Sequence, residues 1–249
     1  MMKILKYPLG LILTLVWLIY AAISIICFLP SLFKARKMKE AGDVGYRKIM
    51  DKCVHMWMSS LLWLAGTRVH VEGLQNIPKD RSVVFVCNHQ GDFDVPVTMV
   101  NLGAPPAMVS KIEVNKVPLV RDWMYLLDCI FIDRKDPRQA ISAMRGGKDI
   151  LESGRNIVVF PEGTRSKGDH MNEFKHGVFK IPCSAGAPIV PVIIDGTYKV
   201  FEANHNLIVP AKVNLTVLPP IETKDMDRLT QKALPETVHD LMAKAKGLM

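Results

Sequence analysis

Two β-branched runs, Val83-Val84-Phe85-Val86 and Ile157-Val158-Val159, each give way abruptly to a short polar island. The first island is Asn88-His89-Gln90-Gly91-Asp92-Phe93-Asp94, and the second is Phe160-Pro161-Glu162-Gly163-Thr164-Arg165-Ser166. A short, wholly apolar run reads as a strand buried on both faces, so each island sits where a strand ends and a loop begins. That position is where α/β proteins build active sites. The first island offers a base near a carboxylate, and the second a carboxylate and a guanidinium on a turn containing Gly.

The same alternation continues through the rest of the chain after Gly66. Strands are expected at Arg68–Val71, Ser82–Cys87, Pro106–Val109, Cys129–Ile132, Asn156–Phe160, Ile189–Ile194 and Val213–Leu218, with helices at Pro137–Leu151 and after Asp225, where Pro235 predicts a break. This pattern predicts an α/β fold with a mostly parallel or mixed sheet flanked by helices, over residues 67–249.

The first 66 residues differ. No charged residue occurs from Tyr7 to Phe33, and Leu9 to Leu29 is almost wholly apolar, long enough to cross a hydrocarbon core as a helix. The run is too long for a secretory signal and lacks a small-x-small cleavage site before Pro30; a buried core helix is the other alternative. Lys34, Arg36, Lys37 and Lys39 follow at once, against only Lys3 and Lys6 on the other side, which favours a cytoplasmic position for everything after them. A second apolar helix is expected at Ile49–Leu64, with Trp57 and Trp63 suited to a lipid interface. Residues 1–66 are thus expected to form a membrane-embedded helical module, as one span, a re-entrant pair or two helices in one leaflet. Hydrophobic residues at 49% place apolar surface outside an ordinary core, and a net charge of +8 fits nucleic acid, anionic lipid or a phosphorylated substrate alike. The five cysteines show neither close pairing nor CxxC spacing, so no disulfide framework or zinc site is indicated and the thiols read as reduced core residues.

His89 and Asp94 would stand about 140° apart around a regular helix, but a turn at Gly91 can fold the carboxylate back to the imidazole. A carboxylate on Nδ1 fixes the tautomer and leaves Nε2 to accept a proton. Asp92 or Asp94 as a helix cap and His89 as a structural polar residue explain the same residues, so the motif alone leaves both readings open. Glu162 to Ser166 supply a guanidinium, hydroxyls and turn N–H groups suited to a phosphate. A third polar strand end, Phe131-Ile132-Asp133-Arg134, adds another Arg.

These islands, in this order, resemble the glycerolipid acyltransferases, in particular the bacterial 1-acylglycerol-3-phosphate acyltransferases. The shared wording is His89-x4-Asp94, then Phe131 to Arg134, then Phe160 to Arg165, then Val190-Pro191-Val192, with Ser110-Lys111-x-Glu113 and Phe174-Lys175-x-Gly177 beside them. Gly91 departs from the family's NHxSxxD wording, in which Ser stands at that place. The resemblance implies that His89 is the base and Asp94 its orienter, and that the acyl group passes directly from a thioester of acyl carrier protein or coenzyme A to the 2-hydroxyl of lysophosphatidic acid. It implies a phosphate site of Glu162, Gly163, Thr164 and Arg165 with Arg134, an acyl or site-shaping role for Val190 and Pro191, and further candidates in Lys111 and Lys175. No cofactor and no metal are implied, and membrane lipids are the expected surroundings, with the catalytic domain on the cytoplasmic side of the membrane.

Other readings are weaker. Another lysophospholipid or glycerol-3-phosphate as acceptor would keep the same blocks. A non-catalytic anionic-lipid-binding protein leaves His89 and Asp94 without a role. A metal hydrolase lacks a second His at ligand spacing, Gly146-Gly147-Lys148-Asp149 lacks the leading Gly and the Ser or Thr of a P-loop, and nucleic-acid binding has charge in its favour but no recognisable module.

Overall fold

In chain order the elements are α1 (Met2–Cys27), α2 (Leu29–Glu40), α3 (Tyr46–Leu64), β1 (Arg68–Glu72), β2 (Val84–Cys87), α4 (Asp94–Asn101), β3 (Ala107–Lys111), α5 (Val120–Leu126), β4 (Ile130–Ile132), α6 (Pro137–Glu152), β5 (Ile157–Val159), α7 (Lys180–Ala185), β6 (Ile189–Asp195), β7 (Lys212–Val217) and α8 (Arg228–Lys246). The computed structural model describes residues 2–133 and 137–248, and gives the backbone alone at residues 2–6, 137–141, 143 and 144.

All seven expected strands form, in one sheet of order β1-β7-β6-β2-β5-β3-β4. The five strands from β6 to β4 run parallel, as strands joined by helical crossovers do. β7 is antiparallel to β6 and parallel to β1, so the sheet is mixed. The reversal follows from the β6–β7 connection, which holds only short 3-10 turns in place of a crossover helix.

β2, β5 and nearly all of β6 are buried. Alternate side chains leave opposite faces of a strand, so Phe85 and Cys87 join one apolar cluster with α2 to α5 while Val84 and Val86 join another with α6 to α8. The N-terminal helices and the sheet therefore share a single core: Leu32 and Ala35 of α2 and Met50, Val54 and Leu62 of α3 pack in the same cluster as Val190 and Leu215.

One detail differs from expectation. Pro235 does not break the C-terminal helix, because α8 runs unbroken from an Asp227 cap and buries Leu234, Pro235 and Val238 against the sheet. Tertiary packing there outweighs the roughly 3 kcal/mol cost of an interior proline. The apolar helix α1 does not stand clear of the domain. A stripe at helical spacing faces inward: Gly10 packs on Leu207, the Thr14 hydroxyl accepts the Ile208 N–H at 2.8 Å, Trp17 Nε1 donates to the Leu61 carbonyl at 2.9 Å, and Ser24 Oγ accepts Trp57 Nε1 at 2.8 Å. The rest of its circumference, including Leu11, Ile12, Leu15, Ile19, Ile23 and Ile26, is apolar and exposed.

Candidate active site

Because β2 lies between β5 and β6 and all three run parallel, their carboxyl ends open on the same edge of the sheet. The two polar islands meet there, joined by a third loop after β6 that begins at Gly196-Thr197. Asn88 extends the β2–β6 ladder with its side chain, donating to the Ile194 carbonyl at 2.8 Å and accepting the Ile194 N–H at 2.7 Å. Gln90 Oε1 accepts the Gly196 N–H at 2.8 Å, and the carbonyls of His89 and Gln90 accept N–H groups of Ser166 and Lys167. The loop carrying His89 is thereby tied on both sides.

The chain turns between Gly91 and Asp94 and enters α4 with Asp94 as its first residue. The turn brings the carboxylate to the imidazole: Asp94 Oδ2 lies 2.7 Å from His89 Nδ1 and also accepts the Gly91 N–H at 2.9 Å. Oδ1 accepts the hydroxyl of Thr197. Asp94 is fully buried, and a buried carboxylate must have such donors. Being an acceptor, it assigns the ring proton to Nδ1 and leaves Nε2 as the available base, with no partner among the described residues. His89 is 19% exposed and stacks on Phe160, with ring centroids 4.3 Å apart.

Glu162 sits beneath this pair. Its Oε1 accepts the His89 N–H at 2.6 Å and its Oε2 accepts the backbone and side-chain N–H groups of Asn172. Burial pushes the carboxyl up, opposed by those hydrogen bonds. With both oxygens occupied it braces the His89 backbone and presents no group to an anion. Gly163 turns with a φ of 72°, in the left-handed region that favours glycine, and the turn brings Thr164 and Arg165 to the cavity. Arg165 Nη1 pairs with the carboxylates of Asp92 and Glu202. Burial pushes Glu202 up, opposed by the hydrogen bond from Asp92 N–H and by the charge of Arg165.

The cavity these groups share has a volume of about 460 Å³. Its polar mouth holds His89, Asp92, Thr164, Arg165 and Lys111, and its inner wall is apolar, with Trp57 and Met58 from α3, Met99 from α4, and Trp123 and Met124 from α5. Cys129 lines it as well, but burial pushes its thiol up to about 12, so it supplies no thiolate nucleophile. Among the described residues no group of three or more His, Cys, Asp or Glu is placed to hold a metal ion.

Several residues singled out from the sequence lie elsewhere. Val190 and Pro191 are not among the residues lining the cavity; they stand beside Phe85 and Val86 in the β6–β2 register and flank β2 within the sheet. Lys175 is exposed outside the cavity wall, its backbone N–H donating to the Pro161 carbonyl. Arg134 lies outside the described residues. Thr197 and Glu202 were not singled out. Asp195-Gly196-Thr197 repeats the pattern of a β-branched run ending in a polar turn, and that signal would have located Thr197.

Residues 68–195 match the family model described as Acyltransferase. A protein of Mycoplasma pneumoniae described as "Probable 1-acyl-sn-glycerol-3-phosphate acyltransferase" is 31% identical over 191 residues, covering 74% of this chain and 71% of that protein. The 1-acyl-sn-glycerol-3-phosphate acyltransferase of Borreliella burgdorferi is 29% identical over 183 residues, covering 74% and 73%. The crystal structure of the 1-acyl-sn-glycerophosphate (LPA) acyltransferase PlsC from Thermotoga maritima superimposes with a TM-score of 0.82 at 29% identity, over 99% of this chain and 97% of that one. In sequence and in fold alike, this chain belongs to the acyltransferase family.

Proposed function

We propose that this protein transfers a fatty acyl group from an acyl thioester, of acyl carrier protein or coenzyme A, to the 2-hydroxyl of 1-acyl-sn-glycerol-3-phosphate, giving phosphatidic acid. One observation carries the reading: an oriented imidazole and a guanidinium stand at the mouth of one cavity whose interior is apolar. Nε2 of His89 removes the hydroxyl proton as the oxygen attacks the thioester carbonyl, and the imidazolium is stabilised by Asp94. When the tetrahedral intermediate collapses, the C–S bond breaks and the proton returns to the departing thiolate. Arg165 holds the acceptor phosphate, with Thr164 and Lys111 close to the same mouth. Acyl chains occupy the apolar wall.

The phosphate assignment is tested by comparing lysophosphatidic acid with a monoacylglycerol bearing the same chain. Arg165→Ala is expected to lower kcat/KM for lysophosphatidic acid by about 10- to 100-fold, the loss of a hydrogen bond between charged groups, and to abolish the preference for the phosphorylated acceptor. The donor KM stays near its original value. A raised donor KM with an unchanged acceptor preference would move Arg165 to the thioester side.

The exposed face of α1 supports attachment to the membrane. With its polar stripe committed to the domain, α1 lies along one leaflet, and Lys34 to Lys39 keep the domain on the cytoplasmic side of the cytoplasmic membrane. Leu15→Glu with Ile19→Glu places two charges on that face without touching the packed stripe. The double variant is expected to lose vesicle flotation, and to lose more activity on bilayer-presented acceptor than on a short-chain soluble one. Equal fractional loss on both acceptors would show that the face supports folding instead.

A further inference from the structure

Gly91, where the family wording has Ser, occupies a place with no room for a side chain. A Cβ there would lie 2.5 Å from Oε2 of Glu202 and 2.9 Å from its Cδ. The backbone of Gly91 is not in the left-handed region, so the space and not the conformation demands glycine. A carboxyl group normally swings aside from such a contact. This one is fixed: the Glu202 side chain is 3% exposed, and its Oε1 accepts the Asp92 N–H at 2.8 Å and pairs with Arg165 Nη1 at 3.1 Å. Oε2 is buried and has no hydrogen-bond partner among the described residues.

Arg165 therefore has two anionic partners of different kinds. Asp92 is 59% exposed and can leave into water, whereas Glu202 is held within the protein. A guanidinium has five donors, so the contact to Glu202 leaves others free for a ligand. We propose that Glu202 is a positioning residue for acceptor binding, fixing the Arg165 guanidinium at the cavity mouth from a space that exists because residue 91 is Gly, while Asp92 is the partner the acceptor phosphate displaces. Glu202 lies seven residues beyond the end of the matched family region. The inference rests on Arg165 as the phosphate contact.

The benefit is that a long side chain is ordered before the ligand arrives. Ordering such a side chain on binding is worth about two- to tenfold in affinity. Steady-state kinetics with lysophosphatidic acid varied at saturating acyl-coenzyme A, and the reverse, test this. Glu202→Gln, which keeps the shape and removes the charge, is expected to raise the acceptor KM by about two- to tenfold with the donor KM unchanged. Gly91→Ala should do the same by pushing the carboxylate away, yet add nothing in a Glu202→Ala background, where its Cβ meets no carboxyl group. An unchanged acceptor KM in Glu202→Gln, acceptor and donor KM rising together, or an equal Gly91→Ala effect in both backgrounds would overturn the proposal while leaving the acceptor reading intact. Wild-type protein that fails to acylate lysophosphatidic acid from acyl-coenzyme A and from acyl carrier protein thioester alike would overturn that reading, and this inference with it.

Discussion

His89→Ala is expected to lower kcat for acyl transfer by about 10²–10⁴-fold, the usual contribution of a positioned general base. Among the described residues lining the cavity, the substitution removes the imidazole whose oriented lone pair can reach a substrate hydroxyl. The fold should survive, for two reasons visible in the hydrogen bonding. The imidazole is not part of either apolar cluster, and Asp94 keeps the Gly91 N–H and the Thr197 hydroxyl as donors once the ring is gone. A buried carboxylate left with two donors is not stranded. Thermal midpoint and vesicle flotation should therefore match the wild type while thioester consumption collapses. Turnover near the wild-type rate in a folded His89→Ala protein would remove His89 from the chemistry.

Asp94→Asn is expected to be nearly as severe, at about 10⁴-fold in kcat by the precedent of an aspartate orienting a catalytic histidine. The amide is isosteric, so packing changes little. Its NH2 group cannot accept from Nδ1–H, and if it turns toward the ring it favours the tautomer with the proton on Nε2, where the lone pair is needed. The Thr197 hydroxyl bonds to one carboxylate oxygen and the Gly91 N–H shares the other with His89, so an NH2 at the first oxygen's place costs one donor its acceptor and at the second's costs two. Asp92→Asn is the contrasting variant. Asp92 is exposed and bonds to Arg165 rather than to the imidazole, so its loss should leave kcat within a few-fold. A severe Asp92→Asn beside a mild Asp94→Asn would mean that the wrong carboxylate has been assigned.

The strands were legible because central parallel strands are apolar on both faces, and Val83–Val86 and Ile157–Val159 can be little else. Their order in the sheet was not, since nothing in the wording of β7 says that it returns antiparallel to β6 and parallel to β1. His89, Asp94 and Arg165 were legible because each stands in a polar island directly after such a strand. Thr197 acts on Asp94 103 positions earlier, and Glu202 on Asp92 and Arg165, 110 and 37 positions earlier, through contacts that the fold and not the local wording creates. Glu162 shows the opposite limit: its place in the second polar island was readable, but the orientation of its oxygens toward His89 N–H and Asn172 was not. In α1, composition revealed an apolar helix, while the inward stripe of Gly10, Thr14, Trp17 and Ser24 depended on the partners it found.

The most direct test of direct, histidine-assisted transfer is a rapid-quench single turnover with acyl-labelled thioester and the purified protein in liposomes, with and without 1-acyl-sn-glycerol-3-phosphate. With the acceptor present, the label should pass entirely into the 2-position of phosphatidic acid and never remain on protein; without it, the thioester should persist. Label bound covalently to the protein, thiol release in the absence of acceptor, or no labelled phosphatidic acid at all would contradict the account.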